Sequence, residues 1–215
     1  MEKKLLLRIL GMNIVRETSL GSGQFAELLM LDYVDDKGKD RKYEAVKSPV
    51  GVRKAVDVIA ILRPSNEILV VRQYRPPVDA FVVEFPAGLI DEGETATEAA
   101  VRELKEETGY TATNIVQVST ETASSPGILE EIVTVVMVEI DEQDPVNQDV
   151  VQNLDDGESV DVFRLPLTKL MRESALSDLH QKDGTKVLLG SRLMSWMMGV
   201  LSATKILGRV VLKEK

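Results

Sequence analysis

Apolar residues gather in runs of strand length along most of the chain, and a helical period breaks in at only a few places. Leu28–Tyr33 and Lys42–Val46 are strand-like, with turn chemistry in Asp35-Asp-Lys-Gly-Lys between them, so Phe25–Ser48 is expected to form a hairpin. It reads as a small antiparallel unit separate from the main core. Ala55–Leu62 and Ile68–Gln73 are strongly apolar strands joined by the turn Arg63-Pro-Ser-Asn. Phe81–Phe85 is a short strand that delivers the chain to Pro86-Ala87-Gly88. Ile115–Thr122 and Ile132–Ile140 are apolar, β-rich runs on either side of a Ser124-Ser-Pro-Gly loop, and Val160–Leu165 returns to strand alternation.

Helical spacing is found from Thr95 to Thr108, from Leu167 to Ser174, and from Val187 to Leu207. In the last of these, Leu189, Leu193, Trp196, Met197, Val200 and Leu201 fall on one stripe, while Arg192, Lys205 and several serines oppose a membrane span. Met1–Leu10 reads as a terminal strand or helix turn, since Arg8 interrupts the apolar run a targeting sequence needs. Asp141–Asp156, acidic and proline-containing, is expected to be a long mobile loop. A mixed sheet covered by helices follows, an α/β fold of the α/β/α sandwich type with an N-terminal antiparallel β unit. The expected division is 1–50 for that unit and 51–215 for the main domain.

The helix after Gly88 carries the candidate chemistry. Thr95 and Glu98 have the spacing of a capping box, and Gly109 stands where a left-handed C-terminal cap is expected. Ala100, Val101, Leu104 and Thr108 form the expected inward stripe. Glu103, Glu106 and Glu107 crowd another face, where like charges at this spacing cost roughly 0.2–0.5 kcal/mol per pair. A divalent cation would turn that penalty into a binding site, and an all-oxygen set suits Mg²⁺ or Mn²⁺. Arg102, at i±4 from Glu98 and Glu106, is placed to orient the cluster. An isolated Glu-x-x-Glu-Glu would read as a solvated face, so the wider spacing has to decide.

Composition narrows the partners. The 215 residues carry a net charge of −9, with a pI near 4.8, against general nucleic-acid binding. There is no cysteine, which excludes disulfides and thiolate metal sites and fits a reducing, cytoplasmic setting. An acidic protein acting on phosphates must draw its positive charge from metal ions and a few arginines.

Gly88, five residues, Glu94, seven residues and then Arg102-Glu103-Leu104-Lys105-Glu106-Glu107-Thr108-Gly109 resembles the Nudix box of the Nudix hydrolases. Tyr110, in a place usually aliphatic, is the one departure. Arg72-Gln-Tyr-Arg-Pro-Pro and Val83-Glu-Phe-Pro-Ala-Gly-Leu-Ile-Asp are similar to stretches of ADP-ribose and ADP-sugar pyrophosphatases, over about Phe25 to Arg164. The resemblance implies Mg²⁺-dependent cleavage of ADP-ribose to AMP and ribose 5-phosphate, with two or three metal ions per site and a homodimer formed through the N-terminal unit.

Carried onto this chain, the resemblance implies metal binding by Glu103, Glu107, the Ala87 carbonyl and Glu158, with Glu106 and Arg102 supporting catalysis. Glu158 is implied either as base or as metal ligand, with Asp155, Asp156 and Asp161 as rivals. Arg75 and Leu89 would contact substrate, Phe25 and Tyr43 would stack on the base, and Glu44 would contact it. Ser48 and Ser125 stand where the subfamily has an arginine and an aspartate, leaving substrate preference open; Lys47 or Arg53 are candidates for the missing cation. His180, in a polar loop sequence, is given no catalytic role. The competing readings are a hydrolase of oxidised nucleoside diphosphates or other nucleoside-diphosphate sugars, and a non-catalytic Nudix-fold nucleotide-binding regulator.

Overall fold

Strands dominate the main sheet because β-branched and long apolar residues alternate between two covered faces. The computed structural model describes residues 13–49, 51–167 and 186–211. The expected elements over Met1–Leu10 and beyond Leu167 toward Ser174, and His180, lie outside these residues. The described chain forms two compact units. One gathers the residues up to Ala55 with Glu121–Val133, and the other gathers Val56–Thr120 with the residues from Thr134 onward.

The first unit is built on three antiparallel strands, β1 (Asn13–Ser22), β2 (Glu27–Val34) and β3 (Asp40–Lys47), in that spatial order. The expected hairpin is β2–β3, paired from Glu27↔Lys47 to Val34↔Asp40. Asp35 closes its turn by accepting from the backbone N–H groups of Lys37 and Lys39, both at 2.9 Å. The strand β1 was not legible in the sequence, because Asn13–Ser22 is exposed along its whole length and shows no buried alternation. The loop before Glu131 lies along β3, with the Val46 N–H donating to the Ile128 carbonyl (2.7 Å) and the Glu130 N–H to the Val46 carbonyl (3.1 Å).

The main sheet adds β4 (Arg53–Arg63), β5 (Glu67–Arg75), β6 (Ala80–Glu84), β7 (Ala87–Leu89), β8 (Asn114–Val118), β9 (Thr122–Ala123), β10 (Glu131–Asp141), β11 (Val160–Pro166) and β12 (Val187–Leu189). Its strand order is β12-β6-β5-β4-β10-β8, with β11 on β5, β7 on β4 and β9 on β10. The helices are α1 (Ala96–Thr108) and α2 (Ser191–Val211). In β4, Val56, Val58, Ala60 and Leu62 pack with Leu69, Val136, Val138, Ile140 and the α1 residues Ala99, Ala100 and Leu104. Ile59 and Ile61 point the other way, onto Ile68, Val70, Val83, Phe85 and the α2 residues Leu193 and Met197. The sheet therefore lies between the two helices, an α/β/α sandwich.

Two expectations change. Val187–Leu189 is not the start of the last helix: it pairs in parallel with β6, Val187 opposite Phe81, and Gly190 donates its N–H to the Val83 carbonyl (2.8 Å) before α2 begins. An apolar Val-Leu-Leu run fits either period, and the open edge of β6 decided it. The Asp141–Asp156 stretch is the long loop expected, but it is anchored at Asn147, Gln152 and Asn153. Asn147 is buried, accepts from the Thr111 N–H (2.8 Å), and donates to the carbonyls of Thr111 (3.1 Å) and Asp141 (3.0 Å). Its polarity serves backbone groups that need partners and does not mark solvent.

Candidate functional site

The site grows from one helix and the loop that faces it. Thr95 Oγ1 accepts from the Glu98 N–H (3.3 Å) and Glu98 Oε2 from the Thr95 N–H (2.8 Å), completing the expected capping box. At the other end, Gly109 adopts φ +76° and donates its N–H to the Lys105 carbonyl (2.9 Å). The buried stripe is Ala99, Ala100, Leu104, Glu107 and Thr108, so Ala99 takes the place expected for Val101, which is only half-buried. Its most consequential member is a carboxylate.

Glu107 is 5% exposed, and its Oε2 accepts from the Ala87 N–H at 2.9 Å. Burial pushes its carboxyl up to about 8, and the charges of Glu103 and Glu158 push it the same way, against the Ala87 amide and Arg75. Glu103 is raised as well, first by burial and then by Glu106 and Glu158, with Arg102 opposing. Its carboxylate lies over Gly88: a Cβ added there would come 1.9 Å from Glu103 Cδ. Only glycine lets that oxygen pair approach the Ala87–Gly88 backbone.

Arg102 gathers the remaining acids. It grips Glu94 with Nε (2.9 Å) and Nη2 (2.8 Å), gives Nη1 to Glu103 (2.7 Å) and Glu106 (3.0 Å), and donates Nη2 to the Leu89 carbonyl (2.8 Å). Glu98, expected as a partner at i−4, is committed to the cap, and Glu94 from the loop replaces it. Leu89 thus lends its carbonyl to Arg102 while its side chain is 48% exposed. Arg75, at the end of β5, is held by Glu84 (Nε to Oε2, 2.8 Å) and is close enough for its charge to act on Glu107.

Glu158 is exposed, and its Oε2 accepts from the Asp155 N–H (3.2 Å) across a turn in which Gly157 has φ +87°. Its charge is felt by both Glu103 and Glu107. Of its rivals, Asp161 is bound by Arg72 (Nη2, 2.6 Å), whose guanidinium lies over the rings of Phe81 and Phe163.

The donor set fits a hard divalent cation: oxygens only, two carboxylates whose burial disfavours their charge, and a glycine that opens the backbone to them. Arg102 draws Glu103 and Glu106 to itself and Glu107 lies on the Ala87 amide. Among the described residues, no group of three or more acidic or histidine side chains is arranged to hold a metal ion.

The base-binding candidates belong to the first unit. Phe25, between β1 and β2, is 66% exposed, and its carbonyl accepts from Arg53 Nη2 (2.9 Å). Tyr43, on β3, is 44% exposed and donates its hydroxyl to the Gly127 carbonyl (2.7 Å). Glu44 follows it in the same strand and points to the opposite face of the sheet. Lys47 is committed to Glu17 (3.0 Å) and Glu130 (3.6 Å). Of the two cations considered for the missing arginine, Arg53 is the one in contact with Phe25.

Sequence reasoning missed Glu84, Glu94 as the Arg102 partner, and Gln152. Glu94 has a fixed place in the box spacing that signals its role; the other two make contacts only folding creates. Gln152 Nε2 donates to the carbonyls of Glu107 (2.6 Å) and Val160 (3.0 Å). Gly109 also faces this strap, where an added Cβ would meet the Val151 nitrogen at 2.7 Å. Gly109→Ala is therefore expected to destabilise by at least about 1–2 kcal/mol from the left-handed backbone alone. Thermal unfolding should show a fall in Tm of roughly 2–8 °C; an unchanged Tm would refute the close contact.

Residues 51–185 match the NUDIX domain family. An ADP-ribose pyrophosphatase of Saccharomyces cerevisiae is 36% identical over 196 residues, covering 88% of this chain and 81% of that protein. An ADP-sugar pyrophosphatase of Mus musculus is 31% identical over 164 residues, 74% of this chain and 75% of that one. The crystal structure of an ADP compounds hydrolase shares the fold, with a TM-score of 0.64 and 23% identity over 92% of this chain and 96% of that chain. With the family domain matched over more than half its length and the acidic helix seated on its glycine loop, the chain belongs to the Nudix hydrolases, pyrophosphatases that generally use divalent metal ions.

Proposed function

We propose that the protein hydrolyses the pyrophosphate of ADP-ribose or a related ADP-sugar, releasing AMP and a sugar phosphate such as ribose 5-phosphate. The observation that carries this reading is the placement of Glu103 against Gly88 with Glu107 buried on the Ala87 amide. The names of the yeast and mouse relatives point to the ADP-sugar class. Glu103, Glu107, the Ala87 carbonyl and Glu158 would hold two or three Mg²⁺ ions, or Mn²⁺ in their place. When bound, these ions neutralise the diphosphate and lower the pKa of a coordinated water.

The chain's own groups supply the rest. Arg75 binds a phosphate oxygen with the guanidinium edge not given to Glu84. Arg102 keeps Glu106, Glu94 and the Leu89 carbonyl in one network, so the loop stays fixed against the helix. Glu158 would either serve as a metal ligand or take the proton of the attacking water. Phe25 and Tyr43 offer exposed rings for stacking on adenine, and Glu44, facing away from Tyr43, lies outside that stack. We read the N-terminal unit, residues 1–50, as the dimerisation and base-binding segment and 51–215 as the hydrolase domain. The exposed Ile14, Val15 and Leu20 of β1 support a homodimer. The net charge of −9 speaks against a general nucleic-acid partner, and among the described residues no helix is long and apolar enough to cross a membrane.

A panel of ADP-ribose, ADP-glucose, NADH, UDP-glucose and 8-oxo-dGDP with Mg²⁺, resolved by chromatography, tests the reading. ADP-ribose should give AMP and ribose 5-phosphate at the highest kcat/KM, and EDTA should abolish turnover. Preference for 8-oxo-dGDP or UDP-glucose would shift the assignment to other nucleoside diphosphates, a reading that Ser48 and Ser125 leave in play. Calorimetric binding without AMP release would make the protein a regulator. Phe25→Ala and Tyr43→Ala should each raise KM for ADP-ribose about 2–10-fold at nearly constant kcat, the range expected for one aromatic stack; unchanged KM in both would remove them from the base site.

A further inference from the structure

The C-terminal end of α1 is where the chain leading to Glu158 is attached. The last carbonyls of a helix have no partner within it, and here the strap satisfies two of them. The Asn153 N–H donates to the Glu106 carbonyl (2.9 Å), and Gln152 Nε2 donates to the Glu107 carbonyl (2.6 Å). The same Gln152 amide also donates to the carbonyl of Val160 (3.0 Å), the first residue of β11, which pairs with Gln73 of β5. One side-chain NH₂ group therefore ties the helix that carries Glu103 and Glu107 to the strand that immediately follows Glu158.

Between these anchors the chain from Leu154 to Ser159 makes a tight turn. Gly157 has φ +87°, the Glu158 N–H donates to the Asp155 carbonyl (3.1 Å), and Glu158 Oε2 accepts from the Asp155 N–H. With both ends held, the swing available to the Glu158 carboxylate is set by this short span. Gly109 keeps the entry to the strap close, against the Val151 backbone.

We propose that Gln152 is a positioning residue for Glu158: its amide staples the Glu107 carbonyl to the Val160 carbonyl and so sets the reach of the Leu154–Ser159 turn over the acidic helix. The inference rests on the reading of Glu158 as a metal-binding or proton-accepting group. Gln152→Met keeps the length of the side chain, adds no charge and removes both donors. It should lower kcat about 10-fold, the scale of lost support around a metal-binding group, with KM changed less than twofold.

The decisive measurement is the double-mutant cycle with Glu158→Gln, read at a temperature where circular dichroism shows every variant folded. In the Glu158→Gln background, Gln152→Met should cost less than twofold, because the group it positions is gone. A merely structural role would repeat the full loss there, and that result would overturn the proposal. Wild-type kcat in Gln152→Met beside an impaired Glu158→Gln would overturn the proposal alone. Wild-type kcat in Glu158→Gln would overturn both the proposal and the part given to Glu158 in the reaction.

Discussion

Glu107→Gln should lower kcat by about 10²–10⁴, some 3–5 kcal/mol of barrier, and yet leave the metal-free protein more stable at pH 8 than the wild type. The two effects share one cause. Glu107 belongs to the buried stripe of α1, and burial raises its carboxyl from 4.5 to about 8. Below pH 4.5 the carboxyl is protonated in both the folded and unfolded chains, and its burial carries no charge penalty. Between about 4.5 and 8 the unfolded chain has lost that proton and the folded chain still holds it, so stability falls as pH rises. Above 8 the whole penalty of burying the charge is present, at most about 5 kcal/mol.

Glutamine keeps the shape and still accepts from the Ala87 N–H, but it never ionises. The Tm of the variant in EDTA should therefore fall less from pH 5 to 8 than that of the wild type, the remaining slope coming from Glu103, with the gap reaching roughly 5–15 °C. Added Mg²⁺ should stabilise the wild type strongly and the variant little, since a ligand that binds only the folded state shifts its stability by mass action. Parallel Tm curves, or full turnover by the variant in saturating Mg²⁺, would sink the assignment.

Gly88→Ala should be nearly as damaging to turnover and almost silent in stability. The new Cβ would lie 1.9 Å from Glu103 Cδ and Oε1 and 2.3 Å from Oε2, which no packing tolerates. Gly88 is not among the glycines at positive φ, so the backbone accepts alanine without strain. The atoms in the way are the far end of a flexible side chain. Glu103 will swing aside, the fold will survive, and a carboxylate will be lost from the Ala87–Gly88 backbone. The expected loss in kcat is about 10²–10³, the cost of an ångström-scale misplacement, with Tm within about 2 °C of wild type. Activity close to wild type would show that Glu103 does not work from this position.

How much of this could be read in advance depends on how local each feature is. The capping box at Thr95 and Glu98, the left-handed Gly109, the β2–β3 hairpin and the apolar strands β4 and β5 all follow from contacts between near neighbours or from the period of burial. The box spacing also marked Glu94, Arg102, Glu103, Glu106 and Glu107 together. It did not say that Arg102 would turn from Glu98 to Glu94, because the cap and the guanidinium compete for one carboxylate and the cap is nearer.

The linear order of residues by itself determined the strand and helix periods, the ends of α1, and the crowding of three glutamates on consecutive turns, since each depends on torsion preferences and spacings of a few residues. Only the tertiary structure decided that Glu107 would be buried while Glu106 stays accessible, that Val187–Leu189 would leave the helical pattern for the edge of β6, and that Gln152 would join α1 to β11. Those outcomes depend on which surfaces are brought together from distant parts of the chain. A carboxylate's burial, a strand's partner and an orphan carbonyl's donor exist only once the sheet and helices have met.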